Sequence, residues 1–104
     1  MGWIADERSR NNAWEASRLI NGKNTKLFAL TVSNKGVDCW VQLHDHASAA
    51  SETNPEEYFL PANGTLSVTN RRYVNGLFVR GVTAAGGSTL VGSDLKFVAD
   101  FETG

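Results

Sequence analysis

Two imidazoles and a carboxylate stand together at His44-Asp45-His46, and no other cluster in this 104-residue chain looks as much like chemistry. At the end of a strand, positions 44 and 46 project to one face, which is the geometry a pair of metal ligands needs. Completing the site would take Glu52, Glu56 or Glu57 from the segment that follows, and the chain has 2 histidines, so no third imidazole is at hand. The reading is a solvated strand end, with no metal and no cofactor. Cys39 is a second candidate, as a nucleophile with His44 as its base. Strand alternation puts residues 39 and 44 on opposite faces, so Cys39 reads as a buried structural thiol.

Cupin barrels use a histidine pair of this kind, but their spacing is not met. Gly36 lies eight residues before His44, and Glu52 lies six after His46. Arg71-Arg72 followed by Tyr73 could grip a phosphate or a stacked base. On a chain of net charge -1 the pair reads instead as structural or as part of a protein interface. Trp40, Tyr58 and Tyr73 could line a flat sugar-binding face, as in carbohydrate-binding modules. The glycines fit no phosphate-loop pattern.

These residues are positioned by a segment dense in turns, residues 58–82. A short aromatic run at 58–60 leads to Pro61-Ala-Asn-Gly64, where Pro61 presets φ and Asn63-Gly64 tolerates positive φ. Leu66 and Val68 then alternate with Ser67 and Thr69. Asn70-Arg71-Arg72-Tyr73 reads as an irregular basic link, Asn75-Gly76 as a turn, and 77–82 as an apolar strand. Such punctuation excludes helix. Upstream, 18–20 reads as a short edge strand and 26–33 as a strong strand. Phe28, Leu30 and Val32 are expected on one of its faces, Leu27, Ala29 and Thr31 on the other. In strand 37–44, Cys39, Val41 and Leu43 form the expected core face, with Trp40, Gln42 and His44 opposite. Trp40 is expected to cover a sheet edge or join an interface. In strand 95–101, Leu95, Phe97, Ala99 and Phe101 share a face. Residues 45–57 and 83–88 read as loops. Strands at this spacing predict an all-β antiparallel sandwich, jelly-roll or Ig-like, over residues 17–104.

Residues 1–16 differ from the rest. Trp3, Ile4 and Trp14 stand among charged and amide side chains, in neither strand nor helix period. They read as an extended N-terminal arm whose aromatic residues dock on a neighbouring subunit, since tryptophan is a favoured interface anchor. The bulk numbers agree with one small domain. The near-neutral charge carries no footprint for nucleic acid or an anionic membrane surface. A single cysteine excludes an intrachain disulfide and suits a reducing compartment. No apolar run approaches the length of a membrane span, and the first residues lack a signal-peptide core. The expectation is a protein made and used without secretion.

Several stretches together resemble a group of small β-sandwich proteins of tailed bacteriophages. They are Ser17-Arg18-Leu19-Ile20, Lys26-Leu-Phe-Ala-Leu-Thr-Val-Ser-Asn34, Trp40-Val-Gln-Leu-His-Asp45, Pro61-Ala-Asn-Gly64, Arg71-Arg72-Tyr73 and Asn75-Gly-Leu77. The resemblance covers most of 17–101 and leaves out the arm. It implies a non-enzymatic virion structural protein, similar to capsid decoration or cement proteins or to minor head, tail or fibre components. Its partners would be the major capsid protein or other virion proteins, and further copies of itself. Trp3, Ile4, Trp14, Trp40, Arg71, Arg72 and Tyr73 would form the partner interface.

Overall fold

The computed structural model describes residues 14–48 and 55–104, together with the backbone of residues 4–10. Eight strands run β1 (Ile4–Arg10), β2 (Ser17–Asn21), β3 (Thr25–Asn34), β4 (Cys39–His44), β5 (Glu56–Leu60), β6 (Thr65–Tyr73), β7 (Leu77–Val82) and β8 (Leu95–Thr103). They form two antiparallel four-stranded sheets, ordered β1-β8-β3-β6 and β2-β7-β4-β5. The first half of the chain is paired with the second in reverse order: β1 with β8, β2 with β7, β3 with β6, and β4 with β5. One long hairpin is thus rolled up on itself, which is the jelly-roll arrangement and not the immunoglobulin one.

The core lies between the sheets. Leu27, Leu30, Val41, Leu43, Leu77, Val79, Leu95 and Phe97 are essentially inaccessible to solvent. In β8 the alternation expected from sequence holds without a break: Leu95, Phe97, Ala99, Phe101 and Thr103 all point inward. Cys39, Val41 and Leu43 point inward from β4, as their spacing predicts. Asn34 closes one end of the core. Its amide donates to the Val37 carbonyl at 2.8 Å and the Pro61 carbonyl at 3.2 Å, and its Oδ1 accepts from the Gly36 N–H at 2.9 Å. One buried side chain therefore ties the β3–β4 turn to the β5–β6 turn.

Strand β3 departs from the expected alternation. Thr25 and Leu27 are buried, but so are Leu30, Val32 and Asn34, so the inward positions change parity near Phe28. Phe28 therefore does not share the core face with Leu30 and Val32. The cause is a bulge: relative to β8, β3 carries one extra residue between Leu27 and Ala29. The neighbouring strand bends at the same level, where Asn70 takes a left-handed φ of 54°. The basic link expected at residues 70–73 is accordingly the last part of β6, which continues to Tyr73.

The segment read as an arm contributes the backbone of β1, laid along β8. Glu15 then exchanges two backbone hydrogen bonds with Leu95, of 2.8 and 2.9 Å.

Candidate functional site

The side chains on the outer face of the β2-β7-β4-β5 sheet form rows across the strands. Register places Val82 beside Trp40 and Trp40 beside Phe59, and a bridge sets Leu90 beside Val82. These four make an apolar ribbon. Trp40 and Phe59 meet edge to face, with centroids 5.1 Å apart, a favoured aromatic arrangement. Phe59 is 48% exposed and Leu90 46% exposed, so both ends of the ribbon meet solvent. Trp40, expected to cover a sheet edge or join an interface, lies on the outer face of β4, an inner strand, beside Phe59 of the edge strand β5. Phe59 and Leu90 were missed. Phe59 lies next to the inward Leu60, and period 2 alone would have sent it outward.

The next row is polar. Ser17, Arg80, Gln42 and Glu57 follow one another across the sheet. Gln42 is buried although it faces outward. Its amide nitrogen donates to Glu57 at 2.8 Å and to the Gly87 carbonyl at 3.0 Å. Its oxygen accepts from Arg80 Nε at 2.8 Å and from His44 Nε2 at 3.2 Å. The Gly86 N–H also donates to Glu57, at 2.8 Å. The loop read at residues 83–88 is therefore pinned over this row, which explains how an outward Gln becomes buried with both amide protons and its oxygen paired.

His44, Asp45 and His46 are not brought to a common point. His44 serves the Gln42 network and packs its ring against Phe78. The Asp45 carboxylate accepts from the backbone N–H of Val74 at 3.3 Å and of Asn75 at 2.8 Å, capping the turn before β7. His46 Nδ1 accepts from the Ser48 N–H at 3.1 Å. Among the described residues no three acidic, histidine or cysteine side chains are grouped as a metal would require. Glu52 lies outside the described residues.

Glu56, considered above only as a possible metal ligand, is the centre of another cluster. It lies on β5 at the rim where the two sheets come together. Tyr58 and Tyr73 each donate a hydroxyl to it at 2.6 Å, and Arg71 Nε donates at 3.0 Å. Arg71 also donates to the Thr69 carbonyl at 2.9 Å. Burial pushes the Glu56 carboxyl up, but the hydrogen bonds from Tyr58, Tyr73 and Arg71 outweigh it and hold the group below the usual carboxylate range. Burial, then the bond to Glu56, pushes the Tyr73 phenol well above its ordinary value. Arg71 and Tyr73 are thus structural, joining β6 of one sheet to β5 of the other.

A flat platform of Trp40, Tyr58 and Tyr73 is not formed. The tyrosines turn to Glu56, and Tyr73 is buried, while Trp40 meets Phe59 edge to face on the outer side of the sheet. Arg72 is exposed on the outer face of β6, opposite Lys26. Trp14 is half-buried, with the ammonium of Lys35 4.9 Å and that of Lys96 4.7 Å from its ring centroid. Trp3 and the side chain of Ile4 lie outside the described residues.

Cys39 is buried in the core, and burial, followed by the nearby Asp38 and Asp94 charges, pushes its thiol up. Both effects suppress the thiolate. Modification by a thiol-specific reagent is expected to proceed only through unfolding, about a thousandfold or more slower in native buffer than in denaturant, given an ordinary folding stability. Fast labelling of the native chain would mean that the end of the core near Asn34 opens locally.

No family model, no curated protein and no solved structure matches this chain.

Proposed function

We propose that this chain is a non-enzymatic structural protein of a bacteriophage particle, acting as a capsid decoration or cement protein that binds and stabilises the head shell. The observation that carries this reading is the apolar group Leu90, Trp40 and Phe59, partly exposed around a fully buried Val82 on the outer face of a sheet. A partly exposed tryptophan braced by a second aromatic is the kind of rigid anchor that dominates protein interfaces. The jelly-roll architecture also occurs in viral capsid proteins, as it does in lectins and cupins. The segment containing Trp3 and Ile4 supplies the second contact in this reading. A protein that binds the assembled lattice and not its disassembled parts stabilises it by mass action, and several copies with several contacts each add avidity. Its partners are the major capsid protein or other virion proteins, and its home is the virion.

Quantitative mass spectrometry of purified particles from its source tests the proposal. Copies in proportion to the major capsid protein support a shell role. A few copies per particle move the chain to the neck, tail or fibre. None overturns the virion reading. With particles in hand, Trp40→Ala should weaken binding about thirtyfold, the equivalent of a 2 kcal/mol anchor. Unchanged binding would remove the ribbon from the interface.

A carbohydrate-binding module is the second reading, favoured by the polar row that borders the aromatic ribbon. It is weaker because Gln42 already uses both amide protons and its oxygen within the protein. A glycan screen with no binding removes it.

A further inference from the structure

We infer that the free edge of β6 is a self-association site, where a second copy of this chain pairs antiparallel about Ser67 and continues the β1-β8-β3-β6 sheet. β6 ends that sheet, so one side of its backbone has no strand beside it. Register and one hydrogen bond show which groups face that side. Ser33 pairs with Thr65, and the Asn34 N–H donates to the Gly64 carbonyl at 3.0 Å. Thr65 is therefore a non-hydrogen-bonded partner in an antiparallel ladder, and by alternation so are Ser67 and Thr69. Their N–H and C=O groups point away from β3. The Thr69 carbonyl accepts from Arg71 Nη1 at 2.9 Å, in agreement with its place on the open side. Among the described residues no hydrogen bond uses the N–H of Thr65, Ser67 or Thr69.

This edge lacks the devices that usually block pairing. β5 carries Glu56 and Glu57 and β2 carries Arg18, but residues 65–69 of β6 hold no charge, no proline and no glycine. Thr65, Ser67 and Thr69 are all exposed. The occupant follows from the edge itself, whose sequence complements its own reverse. A two-fold axis at Ser67 sets Ser67 against its copy and Thr65 against Thr69, so every open N–H meets an outward carbonyl. The Thr69 carbonyl has a second lone pair for this bond. Hydroxyl-bearing side chains then lie together on one face, a favoured cross-strand arrangement, and Leu66 meets Val68 on the other. The charges are complementary as well. The axis sets Arg71 opposite Asn63 and Arg72 opposite Ala62 of the other copy, so neither arginine faces an arginine. The pairing is bounded at both ends. Asn70, at a φ of 54°, bends the strand at one, and the turn closed by the Gly64 N–H on the Pro61 carbonyl stops it at the other.

The contact is independent of the particle role proposed above, and its failure would leave that reading as it stands. Sedimentation velocity of the purified chain, from micromolar to millimolar concentration, tests it. Reversible dimerisation is expected. Ser67→Lys and Ser67→Glu should each weaken it about tenfold or more, because each sets like charges against one another across the axis. Mixing the two variants should restore association, since opposite charges then meet, and only a site where residue 67 faces its own copy gives that result. Ser67→Pro removes an N–H that β3 does not use, so it should abolish dimers while a thermal melt still shows a folded chain. A wild-type chain that stays monomeric throughout overturns the site. Dimers that persist in Ser67→Lys and Ser67→Pro place association on another surface and overturn it equally. A mixture of the two charged variants that stays monomeric overturns the pairing about Ser67.

Discussion

Glu56→Ala is expected to destabilise the fold by about 2–3 kcal/mol, the scale for losing charge-assisted hydrogen bonds while stranding a buried partner. For a domain of this size that corresponds to a fall in Tm of roughly 10–20 °C. The substitution removes the acceptor for Tyr58, Tyr73 and Arg71 at once. The Tyr73 hydroxyl is then left buried without its partner, while Arg71 can return to water. Tyr73→Phe should cost less, because it removes donor and desolvation penalty together. Equal losses from the two changes would show that the Tyr73–Glu56 hydrogen bond carries the whole contribution of the carboxylate, with Tyr58 and Arg71 adding nothing.

The same cluster sets a dependence on pH. The folded chain holds Glu56 below its ordinary value of 4.5, so near that pH the unfolded chain binds more protons there. Its contribution is complete above the ordinary value and is lost as pH falls through the lower, folded one. Tyr73 behaves in the opposite sense. Its pKa is raised above the ordinary 10.0, so its contribution is complete below that pH and disappears only in stronger alkali. Glu56→Gln should flatten the acid limb of a stability–pH curve and shrink the alkaline limb in part, since burial raises Tyr73 first and Glu56 second. An acid limb unchanged in that variant would assign the dependence to other carboxylates.

Gly76→Ala is expected to cost about 3 kcal/mol or more, combining backbone strain with a steric clash. Gly76 has φ +134°, and a Cβ there would lie 2.7 Å from the His46 carbonyl oxygen and 2.8 Å from that of Asn21. Both obstacles are backbone, so neither can swing aside. Gly86→Ala is the comparison. Its φ of +68° is also left-handed, but a Cβ there meets nothing within 4 Å, so the cost should be about 1 kcal/mol of strain alone. Thermal melts of both variants would separate the two contributions. A Gly76 variant no worse than the Gly86 variant would mean that the turn shifts freely from residues 46–47.

Much of the architecture was legible because alternation survives wherever a strand is straight. Leu95, Phe97, Ala99 and Phe101 could be read as one face, and Cys39, Val41 and Leu43 as another, since nothing interrupts them. Phe28 could not be placed, because the bulge that turns it outward depends on how β3 pairs with β8. Asn70 was the available hint, an amide residue that tolerates positive φ in the middle of a strand. Jelly-roll and immunoglobulin orders share strand counts and spacings, so only the pairing distinguishes them. The Glu56 cluster draws on residues 15 and 17 positions apart in sequence. Yet Glu56, Tyr58 and the buried Leu60 share one side of β5. A carboxylate on the inward side needs donors, and that requirement was readable without coordinates. The burial of Gln42 was not, because it depends on a loop that folds back over it.

The reversed pairing of the two halves has a kinetic meaning. β4 and β5 flank one loop; once they join, the ends of β3 and β6 are already near each other, and so on outward to β1 and β8. Each pairing is nested within the next. The loop left to close at every step is then a short remainder and not the full separation along the chain. Contacts between the ends of the chain would ordinarily make assembly slow, because loop-closure entropy must be overcome before they form. Nesting divides that entropy into instalments, and the strand added last, β1, is the one whose departure would undo least.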